Sequence, residues 1–92
     1  MGFMVGVSRK SPAELSPAWP DAESDDRAGE VARRIVLVLR EGVDEHGLRG
    51  FAKLVGVNHS TLIGVLEGRT WPSIQLVTGA ELALGRRVWP EL

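Results

Sequence analysis

The chain has 92 residues, a formal charge of −1, no cysteine, and 43% hydrophobic residues. That length suits one small domain near the lower limit for folding without cross-links or a partner. The missing cysteines exclude disulfides and thiolate metal sites and fit a reducing compartment, the cytoplasm. The longest aliphatic run, Ile35 to Leu39, falls far short of the roughly 20 apolar residues that cross a bilayer, so no membrane segment is expected.

Residues 1–24 are rich in Ser, Pro and Gly and lack sustained periodicity; Ser16-Pro17 and Trp19-Pro20 punctuate them. They read as a flexible N-terminal extension. Phe3, Met4 and Val5 precede the basic pair Arg9-Lys10, the reverse of signal-peptide order. With Trp19 they are apolar residues that a solvated tail does not need, and they are candidates to touch the body or a second subunit.

The folded domain is expected over residues 25–92. A first helix should begin near Asp25 or Asp26, whose carboxylates favour the positive end of a helix. Ala28, Val31, Ala32, Ile35, Val38 and Leu39 form its inner stripe. Gly42 weakens this helix; it should reach Glu45 or His46 and be capped by Gly47, with His46 near the last carbonyls.

In the next stretch Leu48, Phe51, Ala52 and Val55 recur at i, i+3, i+4 and i+7, one face of a two-turn helix that Gly56 ends in a left-handed cap. Asn58 is a good N-cap, and Val57 and Leu62 have the spacing of a hydrophobic staple. The helix so opened runs from about His59 to Leu66, with Leu62, Val65 and Leu66 inward and His59, Ser60, Ile63 and Gly64 outward. Gly68 stops it. Ser73 then caps a last helix with Ile74, Val77, Ala80 and Leu84 inward, closed by Gly85. Val88 and Trp89 should fold back over the core.

The stretch Ala52, Gly56-Val57, Asn58, Ser60-Thr61-Leu62, Val65, Gly68-Arg69 and Pro72 resembles the lambda-repressor and Cro class of helix-turn-helix DNA-binding domains. The resemblance covers roughly residues 27–90. It departs from many members at Leu66 and Gly64, where a Glu and a long polar side chain are common. It implies an all-α, four-helix fold whose helix 59–66 enters the major groove of double-stranded DNA. The matching positions imply base contacts by His59, Ser60, Ile63 and Gly64, and phosphate contacts by Lys53, Asn58, Thr61 and Arg69. The expected function is a sequence-specific transcriptional regulator, a repressor of phage or bacterial type, acting in the cytoplasm as a homodimer.

Charge distribution agrees with this more than the total does. Residues 46–71 hold Arg49, Lys53 and Arg69 against Glu67 alone, whereas residues 1–25 carry Glu14, Asp21, Glu23 and Asp25 against Arg9 and Lys10. Enzyme chemistry has little support: His46 and His59 are the only histidines, and no nucleophile-elbow, metal or phosphate-cradling motif accompanies them. No cofactor, metal or small-molecule ligand is expected. Trp71 and Trp89 read as core anchors rather than base-stacking platforms. For a dimer contact, the apolar residues outside the expected core are Phe3, Met4 and Val5 at one end and Val88, Trp89 and Leu92 at the other, the latter favoured. The alternative is a protein-interaction module, an antitoxin or accessory factor that keeps the helix-turn-helix fold.

Overall fold

Four helices follow from four local start and stop signals. The computed structural model describes residues 10–92. The Asp26 carboxylate accepts from the Gly29 amide at 2.8 Å and opens α1, Arg27–His46; Gly47, at φ 78°, ends it. α2, Leu48–Val55, stops at Gly56 in the left-handed region at φ 89°. The Asn58 side chain accepts from the Ser60 amide and opens α3, His59–Leu66. Ser73 accepts from the Leu76 amide and opens α4, Ile74–Leu84, which ends at Gly85. No strand occurs among the described residues. No helix there is long and apolar enough to cross a membrane.

α1 lies at the centre and contacts each of the other three helices. It buries Ala32, Ile35, Val36 and Leu39, so Val36 joins the expected stripe, while Ala28, one turn beyond the core, is exposed. Gly42 proves to be a packing position. A Cβ there would lie 2.4 Å from the Phe51 ring, which is fully buried. His46 closes the helix and stacks parallel to the same ring at a centroid separation of 6.2 Å.

On α4 Val77 and Ala80 are buried and Leu84 packs against the core as expected, but Leu76 takes the inner place expected of Ile74. Ile74 is 79% exposed. The cause is a backbone approach between helices: a Cβ on Gly79 would meet the Val55 carbonyl oxygen at 2.2 Å. α4 therefore turns its glycine toward the end of α2, and Leu76 and Ala80 beside it enter the core. Past Gly85 the chain folds back, held by the Glu81 carboxylate, which accepts from the amides of Val88 at 2.9 Å and Trp89 at 3.1 Å. Those two amide hydrogen bonds hold the Glu81 carboxyl below its ordinary value. Val88 is buried at 2% exposure, but Trp89 stays 48% exposed.

Residues 10–24 are not a free extension. After a 3-10 turn at Pro12–Leu15 they run as a strap across the body, because their polar groups find fixed partners there. The Ala13 amide donates to the Gly68 carbonyl at 3.0 Å, and Trp19 Nε1 donates to the Leu66 carbonyl at 2.9 Å. Trp71 Nε1 donates to the Lys10 carbonyl at 3.2 Å. A buried ion pair fixes the other side. The Glu30 carboxylate accepts two bonds from Arg33, at 2.9 and 2.7 Å, one from Arg34 Nε and one from the Ser24 amide; Arg33 also donates to the Pro20 carbonyl at 3.1 Å. Both Glu30 and Arg33 are 8% exposed. Of the apolar residues assigned to the extension, Trp19 packs against the core, while Phe3, Met4 and Val5 lie outside the described residues.

The bidentate bond from Arg33, ahead of the Ser24 amide and Arg34, lowers the Glu30 carboxyl from 4.5 to about 2 despite its burial. A carboxyl depressed on folding stabilises above its unfolded value and loses that contribution as pH falls. Urea unfolding should accordingly show about 2–3 kcal/mol lost as pH drops from 4.5 toward 2. Glu30→Ala, which strands the buried Arg33 guanidinium, should cost about 3 kcal/mol at neutral pH and flatten that acid limb.

Two glycine substitutions should act in opposite directions. Gly79→Ala forces a methyl group onto a backbone oxygen that cannot rotate away and should destabilise by about 3 kcal/mol. Gly50→Ala, whose Cβ would have its nearest neighbour at 3.9 Å, should stabilise by about 0.5–1 kcal/mol through helix propensity. Thermal and urea denaturation of the two variants measure both.

Candidate nucleic-acid interface

An eight-residue helix such as α3 is too short to persist alone, and its orientation is set by what it buries. Leu62 is fully buried and Val65 is 2% exposed, both within the core formed with α1 and α2. The opposite face of the first turn presents Ser60 and Thr61 to solvent, with His59 and Ile63 half-buried beside them. Three of the four expected base-contacting residues thus reach the surface of one helical turn. Gly64 does not. It is buried, because the chain after α3 turns back over it: the amides of Arg69 and Thr70 donate to the Gly64 carbonyl at 2.9 and 3.3 Å, and a Cβ would meet Thr70 Oγ1 at 3.2 Å. Its place as an outward residue is withdrawn; the absent side chain makes room for Thr70.

Asn58 serves the helix first. Its Oδ1 accepts from both the Ser60 amide, at 3.0 Å, and the Ser60 hydroxyl, at 2.9 Å. The acceptor end of the carboxamide is committed to the cap, and the NH2 end is the part that can donate to an anion. Ser60 likewise directs its proton inward, so outward it offers oxygen lone pairs.

Two shallow depressions flank this turn. One, of about 380 Å³, is lined by Arg49, Lys53, Asn58 and His59 together with Ala52 and Val57. The other, of about 250 Å³, includes Ser60, Thr61, Arg69, Thr70 and Ser73. Every expected phosphate-contacting residue, Lys53, Asn58, Thr61 and Arg69, therefore borders the exposed turn. Arg49, Thr70 and Ser73 were not among the expected contacts. Arg49 had a legible signal, one turn before Lys53 on the same helix; Thr70 and Ser73 arrive through the return of the chain over Gly64, which no local pattern announces.

Electrostatically the rim is positive but tempered. Arg69 Nε donates to Glu67 Oε1 at 2.7 Å, with the two side chains 62% and 58% exposed. Such exposed pairs contribute little, and a phosphate can replace the carboxylate. No group of three or more His, Asp or Glu able to hold a metal ion occurs among the described residues. Trp71, read as a core anchor, is only half-buried and forms a wall of the second depression. Compared with models of protein families, with curated proteins and with solved structures, the chain matches none.

Because the Asn58 cap satisfies donors that open the helix, Asn58→Ala should lower stability by about 1 kcal/mol in urea unfolding. Ser60→Ala, which leaves the backbone cap intact, should change it by less than about 0.5 kcal/mol.

Proposed function

We propose that the chain is a sequence-specific, double-stranded-DNA-binding transcriptional regulator of the lambda-repressor and Cro type, acting as a repressor. The observation that carries this reading is the exposed first turn of α3, bearing His59, Ser60 and Thr61 and flanked by Arg49 and Lys53 on one side and Arg69 on the other. In the major groove such a turn offers His59 and Ser60 to base edges and Ile63 to a thymine methyl. Asn58, Thr61 and the cations beside them meet phosphates and set register without reading sequence. One short helix contacts few base pairs, so a homodimer on an inverted repeat is part of the proposal, with reading helices about 34 to 36 Å apart. Its contact is assigned to the C-terminal end, where Leu92 is 49% exposed and Trp89 48%. Val88, buried in the core, drops out of that contact.

The second reading, a protein-interaction module, draws on a different observation. Ile74, Thr78 and Leu82 lie one turn apart on the exposed side of α4, an apolar ridge that suits a protein partner.

Selection of bound duplexes from a random pool, followed by titration at several salt concentrations, separates the two. The DNA reading expects an inverted-repeat site and a steep negative slope of log K on log salt. Arg49→Ala, Lys53→Ala and Arg69→Ala should each lower that slope by about one unit on all duplexes. His59→Ala and Ser60→Ala should lose about 1–3 kcal/mol on the selected site and almost nothing on random DNA. Absence of salt-dependent binding by the folded protein would leave the interaction-module reading.

A further inference from the structure

Trp19 and Ala13, far from α3 in the chain, meet the link that leads out of it. Trp19 Nε1 donates to the Leu66 carbonyl at 2.9 Å, and the Ala13 amide donates to the Gly68 carbonyl at 3.0 Å. Gly68 is buried at φ 73°, and a Cβ there would lie 2.7 Å from both the Ala13 Cβ and the Trp19 ring. A third bond, from Trp71 Nε1 to the Lys10 carbonyl at 3.2 Å, fastens the far end of the link. Strap and link therefore meet at Leu66, Gly68 and Trp71, and Arg69 and Thr70 stand between the pinned points.

The same stretch is also held to α3, through the amides of Arg69 and Thr70 on the Gly64 carbonyl. Helix packing does not supply this hold, since among the described residues α3 and α4 share no close backbone approach. The strap in turn is fixed to α1, through the Ser24 amide on Glu30 and the Pro20 carbonyl on Arg33. A chain of bonds thus runs from α1 through the strap to the link that carries Arg69. Arg69, Thr70 and Trp71 line the depression on one side of the exposed turn of α3, together with Ser60 and Thr61. The depression on the other side, bounded by Arg49, Lys53 and His59, includes none of these link residues.

We infer that the strap, chiefly through Trp19, is a positioning device for one flank of the exposed turn: it holds the link 68–71 so that Arg69 and Thr70 stay beside Ser60 and Thr61. The Arg49–Lys53 flank is set by α2 and does not depend on it. An exposed arginine must lose freedom to meet an anion, and a link already ordered by the strap removes the backbone share of that cost. The consequence for DNA rests on the function proposed above; the ordering of the link does not.

Nitrogen-15 relaxation of the full chain and of Trp19→Ala reads the ordering, because order parameters report the folded state whatever its global stability. Amides 68–71 should stand at about 0.85 in the unaltered chain and below about 0.6 in the variant, while α1, α2 and the first turn of α3 stay near 0.85. Trp19→Phe, which keeps a ring on Gly68 but cannot donate to the Leu66 carbonyl, carries the same test if Trp19→Ala does not fold. The second arm is titration of the selected duplex. Trp19→Ala should lower the slope of log K on log salt by about one unit. It should add less than about a twofold loss to that of Arg69→Ala, while its loss multiplies in full with that of Lys53→Ala. Unchanged order at 68–71, or equal loosening of all the helices, overturns the inference; so does an unchanged salt slope, or full multiplication of the Trp19→Ala and Arg69→Ala losses. If the unaltered chain binds no duplex, the proposed function fails by itself and the relaxation arm decides the positioning.

Discussion

Helices of eight residues do not hold together alone in water, so α2 and α3 persist through what α2 presses onto α1. The Phe51 ring, fully buried, occupies the space that a side chain at Gly42 would fill. That contact lets α2 approach the central helix at ring thickness. It also places Ala52 and Val55 where α3 and α4 can meet them. The second close approach, Gly79 against the Val55 carbonyl, follows from the first, since it needs the end of α2 to be held in place. Leu62, Val65, Leu76 and Ala80 then complete one contiguous core, the condition for a domain this small to be stable.

Carboxylates tie both ends of the described chain to this core. Glu30 receives the Ser24 amide and holds Arg33, which reaches the Pro20 carbonyl; Glu81 receives the amides that turn Val88 inward. Each places a carboxylate where backbone donors would otherwise lack partners. The strap also bonds to Leu66 and Gly68, at the C-terminal end of α3, and to Trp71 beyond it. That end of the helix is covered, whereas the first turn, capped by Asn58 and anchored by the buried Leu62, leaves Ser60 and Thr61 exposed. The asymmetry gives α3 one covered end and one presenting end.

What the presenting end can do chemically is set by charges near it rather than by the whole chain. A net charge of −1 gives no general attraction to a polyanion, but Arg49, Lys53 and Arg69 stand around the exposed turn with Glu67 as the adjacent acid. Because the Arg69–Glu67 pair is more than half exposed, it is weak and exchangeable. The Asn58 oxygen organises the start of the helix through the Ser60 amide and hydroxyl.

The sequence by itself determined the helices and their ends. Gly47, Gly56, Asn58, Ser73 and Gly85 stand where caps were expected, because capping is a bond between a residue and the backbone within four positions of it. It also determined that Lys53, Asn58, His59, Ser60, Thr61 and Arg69 would cluster, since all but Lys53 and Arg69 lie on one turn and those two flank it. Tertiary structure decided that Leu76 rather than Ile74 is buried at the start of α4, and that Thr70 covers Gly64. It also decided that residues 10–24 pack, through Trp19 and the Glu30–Arg33 pair. The Gly64 cover comes from the turn that follows α3, and the other outcomes depend on approaches and bonds between segments far apart in the chain. Hydrophobic periodicity identifies a face tens of degrees wide, whereas a glycine meeting a carbonyl oxygen selects one rotation within it.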